Sequence, residues 1–589
     1  MKKNSLEHHE ISILPQKKQL FIVLKEIQKH IIGTRGIISH EELRKILCKY
    51  PDINNALFKR SHLIAAYRHF VASKEMKPDE KLLSAIQMKP MRTQSGVAPV
   101  TVLTKPFPCP GRCIFCPSDT RMPKSYLSDE PGAQRAARNS FDPYLQTYNR
   151  LLAFHNIGHG VEKVELIVLG GTWSHYPEKY QIWFIKRCFD AMNDFPKHDR
   201  RSGVKAGKTP KATKNIGKKN YNVRVSDWAQ KHGGFFEKHE AATWEELENS
   251  HRINETAFSR NVGLVVETRP DRITPTEVIR LRRLGCTKIQ IGIQHTSNSV
   301  LARNKRGHTQ KETKNAIAML RLAGFKIHAH WMANLFGSTV AKDIESYKKL
   351  WGPNYSPDEL KIYPTSIIKS AELYKIFREG GYRPYTHDEL LRVLTNTMPE
   401  TPRYARLTRV IRDFPSTNII AGNKLSNFRQ IAEKEIIESG KKLRDIRSRE
   451  IKNREISMND LRLEKIIYRT STSDEYFLSY ATKKDDKIAG FLRLSIPNKA
   501  LSKKHFIPEL ENAAIIREVH VYGTVVGIGK KSSGLAQHLG LGSLLTELSC
   551  KIAKKHGYKK LAVISAVGTR EYYRKRRFID SGMYLVREI

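Results

Sequence analysis

Cys109-Pro-Gly-Arg-Cys113-Ile-Phe-Cys116 is the stretch on which the reading of this 589-residue chain turns. Three thiols fall within eight residues, while the other four cysteines, Cys48, Cys188, Cys286 and Cys550, are scattered. Thiolates are soft ligands suited to iron–sulfur clusters. A four-iron cluster needs one ligand per iron, so three cysteines leave one iron open. Structural zinc is the competing use of such a motif, but it takes four protein ligands. No fourth cysteine or local histidine completes the set. The spread of the remaining cysteines is unlike a secreted disulfide scaffold and indicates a reducing compartment.

Outward from this motif, β-branched apolar runs at 100–104, 164–169, 262–267, 288–293, 326–332 and 360–363 alternate with helical stretches. That alternation predicts a parallel βα barrel, open or partial, with strands buried on both faces. In radical S-adenosylmethionine (SAM) enzymes a C-x3-C-x2-C motif follows the first such strand. The open iron then chelates the methionine end of SAM. The second strand ends in Gly170-Gly171, where missing side chains let backbone approach a ligand. Glu267 ends the third strand and Gln294 the fourth, and polar residues at carboxyl strand ends face barrel sites.

The net charge is +44, from 103 Lys and Arg against 59 Asp and Glu. Such a surplus points to a polyanionic partner, nucleic acid first. Residues 1–88 read as a helical basic region, either a tRNA-binding arm or a small packing domain with solvated charge. Residues 196–225 carry ten basic residues and one acid, and read as a surface insertion within a radical SAM domain at 89–395. Charges interrupt every apolar run well before about 20 residues, so no membrane span and a cytoplasmic location are expected.

From residue 459 an α+β pattern takes over, with strands expected at 477–480, 487–495 and 515–522. Gln537-His-Leu-Gly540-Leu-Gly542 comes next and opens a helix with Leu544, Leu545, Leu548 and Ile552 on one face. Backbone N–H groups at such a helix start hold a pyrophosphate. The Q-x-x-G-x-G pattern is that of GNAT acetyltransferases, in which coenzyme A supplies the pyrophosphate. Tyr572 and Tyr573 fall on the helix after the next strand, where they serve either as core aromatics or as groups near the thioester.

Together these stretches resemble the catalytic subunit of Elongator in its single-polypeptide, non-eukaryotic form. The likeness includes Lys89-Pro-Met-Arg-Thr93, Gly170-Gly-Thr172, Val266-Glu-Thr-Arg-Pro-Asp271, Arg306-Gly-His308, Leu360-Lys-Ile-Tyr-Pro-Thr365 and Arg517-Glu-Val-His-Val-Tyr-Gly523, and spans most of residues 89–589. It implies that a SAM-derived radical activates the methyl group of acetyl-CoA, which joins C5 of the wobble uridine of tRNA and is hydrolysed to a carboxymethyl group. By that resemblance Cys109, Cys113 and Cys116 bind a 4Fe-4S cluster. Gly170, Gly171, Glu267 and Gln294 line the SAM pocket, and Lys361 is an active-site lysine. Gln537, His538, Gly540 and Gly542 hold acetyl-CoA, with Tyr572 and Tyr573 at its acetyl end. Arg92, Lys105, Arg406, Arg409, Arg412 and Lys424 are candidate tRNA contacts. An electron donor must feed the cluster, and a homodimer is left open. In the linker at 396–458, Leu443, Asp445 and Ser448 occupy positions where the family often has zinc-binding cysteines, so zinc is not expected. Two other readings stand beside this one: a protein lysine acetyltransferase using only the GNAT domain, and a non-catalytic RNA-binding scaffold.

Overall fold

A computed structural model describes residues 16–34, 38–89, 93, 95–203, 221–412, 414–452, 454, 456–522 and 540–589. Four helices come first, Lys17–Gly33, His40–Lys49, Arg60–Ala72 and Glu80–Ile86. Leu20, Leu24 and Ile27 share one face of the first and meet Leu63, Phe70 and Leu82 in a core of their own. The bundle docks on the neighbouring domain through Arg68, which donates to the His155 carbonyl at 2.7 Å.

Seven strands then form one parallel sheet. They are β1 (Ala98–Leu103), β2 (Lys163–Leu169), β3 (Arg260–Thr268), β4 (Lys288–Gln294), β5 (Lys326–Ala333), β6 (Glu359–Pro364) and β8 (Arg406–Val410). The order is sequential and β1 and β8 are not paired with each other, which makes a half-barrel. A short ribbon of β7 (Ile367–Ile368) and β9 (Ile419–Ala421) lies outside it. The six expected strands are all present; the seventh, β8, falls where the sequence reads as linker. The expectation of apolar strands holds for one face only. On β4 and β5, Ile289, Ile291, Ile327, Ala329 and Trp331 join the core, while Gln290, His328 and Lys361 on β6 line an internal cavity. The barrel interior is therefore polar.

The second sheet runs β10 (Leu461–Arg469), β11 (Ser473–Thr482), β12 (Ile488–Pro497), β13 (Ala513–Val521), β14 (Lys560–Val563), β16 (Tyr584–Glu588) and β15 (Ile579–Ser581). All pairs are antiparallel except β13 with β14. The helix Leu541–Lys555 packs Leu545, Ile552 and Ala553 against this sheet. Leu544, expected on the same face, is exposed.

The two sheets share one hydrophobic core, since Ile515, Ala562 and Val586 join the cluster that holds the half-barrel. Two glycines allow the close approach: a Cβ on Gly568 would lie 2.8 Å from the Asn261 carbonyl oxygen, and one on Gly324 would lie 2.9 Å from Ile515. Across the seam, Arg517 on β13 forms a bidentate pair with Asp358 at 2.6 and 2.8 Å and also donates to Glu475 at 2.8 Å. Arg493 reaches Glu518 at 2.8 Å and Asp358 at 3.4 Å. Burial would raise the pKa of Asp358, but Arg517 and Arg493 outweigh it and hold the carboxyl well below its ordinary range. This contribution to stability is present above the ordinary carboxylate pKa and is lost only in strong acid.

The linker positions Leu443, Asp445 and Ser448 carry a different fastening. Asp445 accepts from the backbone N–H groups of Leu407 and Arg447, each at 3.1 Å, and Ser448 donates to the Asp445 carbonyl at 2.8 Å. Among the described residues, no helix is long and apolar enough to cross a membrane. Removing one partner of a buried ion pair strands the other charge, at a cost of about 3–5 kcal/mol. Asp358→Ala is expected to lower the denaturant midpoint by a loss of that size, measured by urea unfolding, whereas a loss below about 1 kcal/mol would show that the seam does not depend on this pair.

Candidate active site

The cysteine loop leaves β1 at its carboxyl end and is pinned on both sides. The Asn222 side chain accepts from the Cys109 N–H at 3.0 Å and donates to its carbonyl at 2.7 Å. Tyr221 donates to the Met122 carbonyl at 2.9 Å. Both belong to the helix Tyr221–Lys231. The expected loop at 196–225 therefore ends in ordered structure that braces the cysteines; its residues 204–220 lie outside the described residues.

Cys113 is buried with the guanidinium of Arg306 at 3.1 Å from its sulfur and that of Arg269 at 3.7 Å. Burial alone would push its pKa up, but these cations overcome it and lower it. Burial pushes the Cys116 thiol up to about 11, with Lys124 opposing; iron coordination would deprotonate it outright. Among the described residues, no three His, Cys, Asp or Glu side chains converge on one ion-sized point. A cubane that takes one thiolate per iron requires no such convergence.

A cavity of about 120 Å³ adjoins this loop, lined by Cys116, Tyr126, Glu267, Gln294, Lys361 and Arg412 among others. Tyr126 donates to Glu267 at 3.0 Å. Gln294 has φ +64° and a buried Oε1 with no hydrogen-bond partner among the described residues. A ligand donor that met this orphaned acceptor would satisfy it. Gly170 has φ +147°, and a Cβ there would fall 1.7 Å from the Thr104 hydroxyl. Three thiols, two flanking guanidiniums, an orphaned amide oxygen and a glycine cradle fit a cluster with a chelated SAM.

Lys361 donates to Gln290 at 2.5 Å, and Gln290 also meets His330 at 3.1 Å. Lys361, Leu169 and Arg409 line both this cavity and a larger one of about 560 Å³, which continues down the barrel to the second sheet. Tyr573 is buried on that larger cavity. Tyr572 packs on the helix start, where a Cβ on Gly542 would lie 2.4 Å from its hydroxyl. Gly540 has φ +68° at the N-cap. Gln537 and His538 lie outside the described residues.

Three of the cations assigned to tRNA are committed inside the protein. Lys105 is buried against Glu240, Arg406 pairs with Glu450 and donates to Tyr522 at 3.2 Å, and Arg412 pairs with Glu130 at 3.1 Å. The reason is the same in each case: a carboxylate from a distant segment closes on the cation. Arg409 is half-buried on the cavity walls, with its guanidinium 5.9 Å from the Tyr363 ring, and Lys424 is exposed. Arg92 lies outside the described residues. The sequence marks Arg269 only as part of the polar carboxyl end of β3, and gives no sign of Asn222, Arg306 or Tyr126 as site residues. Arg269 and Arg306 sat within matched stretches, but nothing local marks them as neighbours of Cys113.

The Radical SAM superfamily model matches residues 234–347, and the Radical_SAM C-terminal domain matches residues 357–438. A protein of Methanocaldococcus infernus named tRNA uridine(34) acetyltransferase is 34% identical over 86% of this chain and 88% of its own length. The chain belongs to the Elongator complex protein 3 family. Danio rerio Elongator complex protein 3 is 33% identical over 86% of this chain and 87% of its own. The solved structure of the archaeal Methanocaldococcus infernus Elp3 with an N-terminal deletion aligns with a TM-score of 0.66 and 30% identity over 84% of this chain and 99% of that one. This Elongator-family chain is a radical SAM enzyme. Gly170→Ala is expected to cost about 1–3 kcal/mol from overpacking and to weaken SAM binding; unchanged stability and SAM affinity would mean that the cradle is not close-fitting.

Proposed function

We propose that the chain is a tRNA-modifying acyltransferase that joins the methyl carbon of acetyl-CoA to C5 of the wobble uridine and leaves a carboxymethyl group. The observation that carries this reading is the sharing of Leu169, Lys361 and Arg409 by the two cavities. One opens beside the cysteine loop and the other beside the second sheet, so an acetyl group held at the sheet faces the radical site through the barrel. The relatives named tRNA uridine(34) acetyltransferase support the choice of RNA. The net charge of +44 suits a polyanion gripped by its phosphates.

When bound, the cluster and SAM supply one-electron chemistry able to abstract hydrogen from a methyl group. Cys109, Cys113 and Cys116 would hold the cluster, while Gly170, Gly171, Glu267 and Gln294 would seat SAM. Gly540 and Gly542 open the helix whose N–H groups would receive the coenzyme A pyrophosphate. Lys361, fixed by Gln290, places a donor at the junction of the cavities. Tyr573 and Phe491 form a buried aromatic wall beside the place proposed for the acetyl end.

The test is coenzyme A release from acetyl-CoA by the purified chain, with and without total tRNA. Release should require tRNA. Release indifferent to tRNA would overturn the proposal in favour of a free-standing lysine acetyltransferase. Cys113→Ala should abolish carboxymethyluridine, read by nucleoside mass spectrometry, while acetyl-CoA still binds; product from this variant would sink the radical reading. Raising salt from 50 to 200 mM should weaken tRNA binding by about 10³-fold or more if six or more phosphates are contacted, and a flat response would rule out a phosphate grip.

A further inference from the structure

β13 and β14 pair in parallel only from Ala513↔Lys560 to Ile516↔Val563. Beyond that point they separate, and the gap opens on the 560 Å³ cavity. His520 stands on one lip, four residues past Ile516, and Ser565 on the other, two past Val563. Both line the cavity, and among the described residues His520 Nε2 and Ser565 Oγ are buried with no hydrogen-bond partner. The His520 ring is held against Phe491, with centroids 5.7 Å apart at 21°, and against Tyr522 at 4.5 Å. A polar ligand lying in the gap would satisfy both orphaned atoms.

We propose that His520 is the general base that activates water against the acetyl thioester, with the Ser565 hydroxyl facing the thioester carbonyl. This rests on the acetyl-CoA reading above. His520 Nε2 takes a proton from water as the water oxygen bonds to the carbonyl carbon. The carbon–sulfur bond then breaks and the proton passes to the leaving sulfur, giving free coenzyme A and a carboxylic acid that ionises. No oxidant or reductant enters.

The other acidic and histidine side chains on this cavity each have a charged or hydrogen-bonding neighbour, although His328 Nδ1 and Arg493 Nη1 also make no hydrogen bond among the described residues. Glu518 is paired with Lys326 at 2.5 Å and Arg493 at 2.8 Å. Glu359 is paired with Lys326 at 2.7 Å and Lys288 at 3.1 Å. His328 meets Thr408 at 2.8 Å and stands 3.3 Å from Glu359. Burial holds the Tyr573 hydroxyl protonated far above neutrality. Around His520 itself, burial pushes the pKa down to about 4; Glu518 opposes this, while Lys326, Arg406 and Lys163 reinforce it. Tyr522, whose own pKa burial raises, stays neutral beside it. The imidazole is therefore uncharged at neutral pH, the form that accepts a proton.

The experiment uses the full chain with tRNA and follows coenzyme A release. His520→Gln, which keeps size and polarity but no base, should lower kcat by about 10²-fold or more and leave the KM for acetyl-CoA nearly unchanged. In His520→Ala, added imidazole should restore release while doing nothing to the wild type. Wild-type rates in His520→Gln would overturn the proposal, as would failure of imidazole to rescue an alanine variant that still binds acetyl-CoA by calorimetry. A glutamine variant that fails to fold leaves the rescue to decide. Absence of tRNA-dependent release in the wild type would instead strike the acetyl-CoA reading itself.

Discussion

The bidentate pair between Arg517 and Asp358 is the contact on which the arrangement of the two sheets depends. Arg517 belongs to β13 of the second sheet, and Asp358 immediately precedes β6 of the half-barrel. Both side chains are completely buried. A single pair this deep would be a poor bargain, because desolvation rivals the attraction. Here the charges are shared: Glu475 takes a further Arg517 hydrogen bond, and Arg493 bridges Asp358 to Glu518. Lys326 then ties Glu518 to Glu359 inside the barrel. Each charge meets several partners in fixed geometry, so the network gains orientation as well as energy.

That fastening explains why the barrel interior is polar. The half-barrel is open at β1 and β8, and its lower end is closed by another sheet rather than by its own side chains. Strand residues that would fill a sealed barrel instead line a passage, with Gln290, His328 and Lys361 along its wall. The hydrophobic core moves outward, under the helices, and continues beneath the seam into the second domain. Close backbone contact at Gly324 and Gly568 leaves little freedom for the sheets to slide.

Charge is divided in the same way. Lys105, Arg406 and Arg412 point inward to carboxylates, whereas the first helices carry their lysines on solvent faces around a private apolar core. Internal cations hold the architecture, and surface cations set the positive field around the protein.

The sequence by itself determined the three-cysteine loop after the first strand, six of the seven barrel strands and the helix that opens at Gly540. Each is a local pattern: thiol spacing, apolar runs of strand length, glycines at a helix start. The tertiary structure alone decided which distant residues meet them. Arg306 reaches Cys113 across 193 positions, and Asn222 brackets Cys109 across 113. β8 escaped notice because Arg406 and Arg409 interrupt its apolar run, and a strand lining a polar passage carries no two-faced hydrophobic signature. Likewise a cation reads the same in sequence whether it faces phosphate or a buried carboxylate; only the approach of Glu240, Glu450 and Glu130 through folding settles which.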